Sequence, residues 1–404
     1  MRKLRKFAIM LVLILVVSLS GNVVTTTALN SGEYYVPGSP MINEKAYIGA
    51  TAGDDLTNWV STAPTIGDYD YSFSVMGDIQ IVNNYFPHEL PAMFDYVVNN
   101  AKARNTRFCF NMGDITDKDK IEEWERAKEG YDRIGKVMPY VVVRGNHDGR
   151  ANMNKYFGGD SAYMNSVDGS YMGKSYMVYT TFSVGIHKYL VLTLDWFVDE
   201  IHLQWANDVI SSHPDYNAIV CVHSFLGRNQ TPTVAGEYPS QSHYEYNLDI
   251  NNTPYAENPS LDGIDIWNAL KGNANLKLIL GGHVSFDDVG RWQGTGTNGN
   301  TVQGLLICPQ DIDIGLARTA GSWKFQTTDP AYAAGMTGSY YGRPAAIMTT
   351  LYVSNEGRFF VEHYSVTRNQ WWRSTNQFSF NLDLISINDN PTGSHYTQVV
   401  GATL

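Results

Sequence analysis

The sequence is poor in cysteine, in basic residues and in long apolar runs, and each shortage excludes something. Three cysteines in 404 residues allow one disulfide at most, so no disulfide framework holds the chain together. Cys109, Cys221 and Cys308 each lie in or at the end of an apolar, strand-like run and read as buried thiols that pack as small hydrophobes. Lys and Arg number 29 against 40 Asp and Glu, a formal net charge of −11, and no basic run occurs after residue 6. That balance argues against a nucleic-acid partner or an anionic membrane surface. The longest N-terminal apolar run, Phe7 to Val17, is well short of the ~20 residues a spanning helix needs. Internal repeats and coiled-coil heptads are also missing. What remains, 43% hydrophobic and 17% charged residues with ordinary glycine and proline, is a globular chain able to bury a sizeable core.

Four cations at Arg2, Lys3, Arg5 and Lys6, the short apolar run, and small residues ending at Thr26-Thr27-Ala28 form the pattern of a secretory signal peptide over residues 1–28. Its removal takes four cations and no anion, moving the formal charge from −11 to −15. A secreted, extracellular protein is expected, with no membrane attachment after cleavage. Residues 29–70, rich in Gly, Pro, Ser, Thr and Asn, read as an extended N-terminal arm, and 387–404 as a polar tail.

Between them, residues 71–386 show alternating periodicities. Strands are expected at Ser72–Met76, Arg107–Met112 and Tyr140–Val143, with helices at Leu90–Ala103 and Ile121–Val137 between them. The second helix carries an apolar stripe of Ile121, Trp124, Ala127, Tyr131, Ile134 and Met138. A hairpin through Gly185 joins Met177–Val184 to Lys188–Leu194; a helix at Glu200–Ser211, a strand at Ala218–Val222, a helix at Ile264–Leu270 and a strand at Leu276–Leu280 follow. The chain then turns β-rich, ending in Ala345–Val353 and Arg358–Ser365 around Asn355-Glu356-Gly357. The fold class is α/β, sheets with helices outside. Long Tyr-, Asn- and Ser-rich loops are expected at about 149–172 and 225–260.

Five segments share one design, a strand running into polar groups that can bind metal: Gly77-Asp78-Ile79-Gln80, Gly113-Asp114-Ile115-Thr116-Asp117, Gly145-Asn146-His147-Asp148, His223, and Gly282-His283-Val284-Ser285. In open α/β sheets, sites form beyond the carboxyl ends of strands. Singly, each is ordinary turn or capping chemistry; together they converge.

In this order the motifs resemble the calcineurin-like metallophosphoesterase superfamily, over about residues 70–385. The resemblance implies two packed mixed β-sheets flanked by helices and a dinuclear metal site that hydrolyses a phosphomonoester or phosphodiester by attack of a metal-activated water on phosphorus. It implies that Asp114 bridges two ions, one also held by Asn146, His223 and His283, the other by Asp78 and its neighbours. His147 would act on the leaving-group side as acid or electrostatic donor, with Asp148 orienting it. Two positions depart from the family pattern: Gln80 and Ser285 stand where histidines are usual. The site with Asp114, Asn146, His223 and His283 suits Mn, Fe or Zn; the site with Asp78, Gln80, Asp114 and Ser285 is weaker, all oxygen, and suits a harder ion such as Mn, Mg or Ca. Asp287 and Asp288 are the next candidates to complete it.

Other signals lead nowhere. Gly173-Lys174-Ser175 resembles the end of a phosphate-binding loop, but residue 168, where glycine is required, is Asp. His88-Glu89 begins a zinc-protease motif whose second histidine position is Ala92. Tyr156, Tyr163, Tyr171, Tyr238, Tyr244 and Tyr246 could stack on a sugar or base or simply pack. They carry the second expectation, a weakly active or inactive relative that binds a glycan or cell-wall polymer in place of a small phosphorylated substrate. Trp371-Trp372 reads as packing.

Overall fold

The computed structural model describes residues 59–234, 261–284, 289–310, 312 and 344–387, with the backbone of four further two-residue strands. The expected signal peptide and the polar tail beyond 387 lie outside the described residues. So do most of the expected arm and positions 235–260 of the second long loop. Among the described residues no helix is long and apolar enough to cross a membrane.

Strands β1 (Glu33–Tyr34) and β2 (Ile42–Asn43) pair with each other, and β3 (Trp59–Val60) closes the arm. Then come β4 (Tyr71–Met76), α1 (Gln80–Tyr85), α2 (Leu90–Asn100), β5 (Thr106–Asn111), α3 (Ile121–Gly135) and β6 (Tyr140–Val141). After α4 (Arg150–Phe157), the chain forms β7 (Gly169–Ser170), β8 (Val178–Val184), β9 (His187–Leu194), α5 (Glu200–Ser211) and β10 (Asn217–Val222). Next are α6 (Gly263–Leu270), β11 (Leu276–Gly281), β12 (Gly290–Thr295) and β13 (Thr301–Leu306). Last are β14 (Trp323–Lys324), β15 (Ser339–Tyr340), β16 (Ile347–Val353), β17 (Arg358–Ser365), β18 (Gln370–Trp372) and β19 (Phe378–Asn381).

Two mixed sheets result. The first runs β3-β18-β17-β16-β4-β5-β6, with β19 also on β17; the second runs β12-β13-β11-β10-β9-β8-β7. Each has a parallel set, β4-β5-β6 at one end of the first and β9-β10-β11-β13 in the middle of the second. Rings from both sheets meet in the core: Phe73 lies edge-on to Phe182 and Tyr189, Phe108 stacks on Phe182, and the Tyr71 and Tyr189 hydroxyls bond at 2.6 Å. The strands of both parallel sets are buried over most of their length, as a sheet covered on two faces requires.

The helices α2 and α3 meet where Gly130 faces the Phe94 ring, which a Cβ at that glycine would strike at 2.3 Å. The stripe of α3 is buried from Trp124 onward, but Ile121, at the helix start, is 52% exposed. The stretch 149–172, read as loop, holds the helix α4. Only Met153 and Phe157 of that helix are buried, too few to show a period. It is fixed instead by Asp119, which accepts hydrogen bonds from Gly149 N, Asn152 Nδ2 and Trp124 Nε1.

Candidate metal centre

Seven parallel strands point their carboxyl ends to one edge, and the residues just past them form the site. From the first sheet come Asp78 after β4, Asp114 after β5, and Asn146, His147 and Asp148 after β6. From the second come Trp196 after β9, His223 after β10, His283 after β11 and Cys308 after β13.

Asp114 sits in the middle. Its Oδ1 lies 3.3 Å from His223 Nε2 and accepts from the His147 amide at 3.1 Å, while Oδ2 accepts from Gln80 Nε2 at 2.9 Å. One buried carboxylate therefore faces two groups of donors. On the first side, Asn146 Oδ1 lies 3.1 Å from His223 Nε2 and 3.0 Å from His283 Nδ1. His223 turns its other nitrogen to the Met112 carbonyl at 2.7 Å, which fixes the ring and leaves Nε2 for the site. Ligand atoms of Asp114, His223 and His283 all fall within 4.8 Å of one another. On the second side, Asp78 accepts from the His283 amide at 3.0 Å and from the Cys308 thiol at 3.1 Å.

The glycines of the motifs have a common cause. A Cβ at Gly145 would lie 2.1 Å from Asp114 Oδ1, one at Gly282 2.2 Å from Asp78 Oδ1, and one at Gly113 2.4 Å from His223 Nδ1. Each glycine gives way to a neighbouring loop's ligand, so the loops interlock. Asp114 and His283 both take positive φ, 47° and 67°, a strained setting for non-glycine residues that concentrates at functional sites.

One expected pairing is not made. Asp148, expected to orient His147, instead accepts from Gly145 N, Ile115 N, Thr116 N and Thr116 Oγ1 and so ties the β5 and β6 loops together. Burial, with Asp114 nearby, pushes its carboxyl up to about 6 against those donors. The partner of His147 is Asp117, whose backbone oxygen is 2.8 Å from Nδ1 and whose carboxylate is 3.6 Å away. Glu123 in turn binds the amides of Asp117, Lys118 and Lys120 and holds that loop.

Charge at the site is distributed as a cation pocket requires. Burial pushes the Asp78 carboxyl up to about 8, despite the pull of His223. Burial opposes charge on Asp114 too, yet His223, His147 and His283 hold its carboxyl well below the usual range. His223 is raised to about 9, burial being outweighed by Asp114 and Asp78. His283 is held down at about 3 by burial and by His223, which keeps its ring neutral and ligating. The clearest sign of fit is Gln80: its Oε1 is buried with no hydrogen-bond partner, an amide oxygen left for a metal. Asp78, Gln80, Asp114, Asn146, His223 and His283 thus fit two divalent ions.

Ser285, Asp287 and Asp288 lie outside the described residues. Of the six tyrosines, Tyr238, Tyr244 and Tyr246 do as well. The other three pack: Tyr156 stacks on Trp124, Tyr163 is buried, and Tyr171 stands edge-on to His202 and Trp205. Trp196 went unnoticed in the sequence although it follows a predicted strand; its ring centroid is 4.6 Å from His283 and 5.3 Å from His223. Beside it, Asp195 binds Arg144 and Arg150 and braces the loop that carries Asn146.

The calcineurin-like phosphoesterase family pattern matches residues 71–287. An uncharacterized Bacillus subtilis protein, YvnB, is 29% identical over 164 residues, which cover 39% of this chain and 13% of that protein, so the chain spans about an eighth of its relative's length. Among solved structures, a dimetal phosphatase from Danio rerio superposes with a TM-score of 0.45 at 11% identity, covering 78% of this chain and 100% of the other. A purple acid phosphatase from yellow lupin gives 0.43 at 13% identity, covering 83% of this chain and 59% of its own.

Proposed function

This chain belongs to the calcineurin-like phosphoesterase family, a family of metal-dependent phosphoesterases, and we propose that it is an exported enzyme that hydrolyses a small phosphomonoester or phosphodiester outside the cell. The observation that carries the reading is Asp114, one carboxylate whose two oxygens face two separate donor groups. When bound, two divalent ions at that place supply Lewis acidity toward a phosphoryl oxygen and an activated water.

The chain's own residues do the rest. Asn146, His223 and His283 would hold one ion with Asp114, and Asp78 and Gln80 would hold the other. His147, 20% exposed at the rim, holds Nδ1 on the Asp117 backbone oxygen, which keeps a proton there and turns Nε2 outward. With Nδ1–H held there, the doubly protonated ring would carry on Nε2 the proton it gives to the leaving oxygen. Trp196, itself buried, packs its ring against both histidines and limits their turning. The signal-peptide pattern of residues 1–28 supports export.

The test is direct. Purified protein should bind divalent metal and hydrolyse an aryl phosphomonoester or a bis-aryl phosphodiester in added Mn²⁺, with activity abolished by a chelator and restored by metal. Bound metal with no turnover of either ester would instead favour the glycan-binding reading. Mass spectrometry of exported material should find a new N-terminus near Ala28.

A further inference from the structure

The sequence motifs account for five strand ends, and the donor set they give the Asp78 side is short of an imidazole at position 285. We infer that Cys308 supplies the missing donor, as a thiolate ligand of the ion held by Asp78, Gln80 and Asp114. The inference deepens the two-ion reading above and rests on it.

The placement follows from topology. Strand β13 runs parallel beside β11, so its carboxyl end reaches the same edge as the histidine loops, and Ile307 N donates to Gly281 O at 2.8 Å. The segment 307–309 is pressed against the Asp78 loop: a Cβ at Gly77 would lie 2.8 Å from the Ile307 oxygen and 2.9 Å from Pro309 Cδ. That brings Cys308 Sγ to 3.1 Å from Asp78 Oδ2. Metal–oxygen and metal–sulfur bonds of about 2.1 and 2.3 Å set at right angles put the two donors about 3.1 Å apart. The contact therefore has the length of two adjacent ligands of one ion, as do the 3.0 and 3.1 Å contacts of Asn146 with the two histidines on the other side.

A second observation points to a ligand at the same place. Gln80 is 4% exposed, its Nε2 is on Asp114 Oδ2, and its Oε1 has no hydrogen-bond partner. A buried amide oxygen left open next to the Asp114 carboxylate is a donor awaiting a cation. With sulfur included, the set suits zinc, cobalt or iron better than the magnesium or calcium expected of an all-oxygen site. Binding releases the thiol proton to solvent, as any thiolate ligand requires.

Cobalt reads this without turnover. The full chain, stripped of metal and titrated with Co²⁺, should bind two ions and develop a near-ultraviolet thiolate-to-cobalt absorption with the second. Cys308→Ala should lose that absorption and retain one tightly held ion, the second weakened by at least about tenfold. Cys308→Ser, which keeps a hydrogen-bond donor toward Asp78, should also lose the absorption, and guards against misfolding as the cause. Two bound cobalt ions without the absorption in wild type, or its persistence in both variants, would overturn the assignment. Esterase activity with a silent spectrum would sink Cys308 and leave the enzyme standing; the absorption without esterase activity would do the reverse.

Discussion

The two sheets give the site different chemistry. Loops from the first sheet supply oxygen donors, Asp78, Gln80, Asp114 and Asn146, together with the acid His147; loops from the second supply His223, His283, the Trp196 ring and the Cys308 thiol. Neither half can hold an ion well. The oxygen half has two carboxylates and two amides, and burial opposes charge on both carboxylates; the second half has imidazoles with no counter-charge of their own. Closing the sandwich joins them, so folding of the two sheets against each other and formation of the metal centre are one event.

The bridge between the halves should be the most sensitive point. Asp114→Asn keeps the shape and removes the shared charge. Both ions should be lost and activity should fall by more than about 10⁴-fold, because water activation and charge clamping depend on them. Elemental analysis would show metal near zero. Retention of one ion at full occupancy would mean that the halves bind independently.

His147 tests the opposite property, chemistry without metal holding. His147→Ala should keep both ions and lose about 10²–10⁴-fold in activity, the usual size of a general-acid contribution. Asp117→Asn should cost far less, about tenfold, since the closer contact of His147 is with the Asp117 backbone oxygen. If the Asp117 variant loses as much as the His147 variant, the carboxylate and not the main chain sets the ring.

Much of this was legible before any coordinates. Gly-Asp, Gly-Asn-His-Asp and Gly-His announce the site because interlocked loops need a small residue before each ligand, and spacing along a strand is local information. The apolar period of α3 is equally legible. What stayed hidden depends on contacts between distant segments. Asp117 and Asp148 are both acidic residues of the motifs, and only the packing of the β5 loop on the β6 loop decides which one meets His147. Cys308 follows an apolar run like the other two cysteines, and only the parallel pairing of β13 with β11 takes it to Asp78. Helix α4 buries two residues and so shows no period.

The interlock itself can be graded. Gly145→Ala drives a methyl into Asp114, which would ligate both ions, whereas Gly282→Ala drives one into Asp78, which would ligate one ion and reaches the histidine side only through the His283 amide. The first should weaken both ions and the second mainly one. Losses of about tenfold to a hundredfold in metal affinity are expected, read by competition with a chromophoric chelator. Equal loss of both ions in Gly282→Ala would show that the hydrogen bond from the His283 amide to Asp78 matters to the histidine side as much as the carboxylate does to its own ion.

The smallest effect separates the site from the scaffold by pH. His283 lies in the metal centre, and His363 lies in β17, its Nδ1 2.8 Å from Thr349 Oγ1 and its ring edge-on to Trp372. Burial holds both rings down at about 3, helped by His223 in one case and Arg291 in the other. Between that value and the ordinary 6.5, the unfolded chain binds a proton on each ring and the folded chain does not, so each ring makes stability fall as pH falls. From pH 6.5 to 5 the loss is about 2 kcal/mol per ring. His363→Asn should flatten this slope by that amount with or without a chelator, because no ligand touches it. His283→Asn should flatten it in stripped protein but, in metal-loaded protein, chiefly lower the denaturation midpoint by removing a ligand. Denaturant titrations at pH 7 and pH 5 decide it, and a chelator-dependent slope for His363→Asn would mean that the metal centre and the far side of the first sheet are coupled.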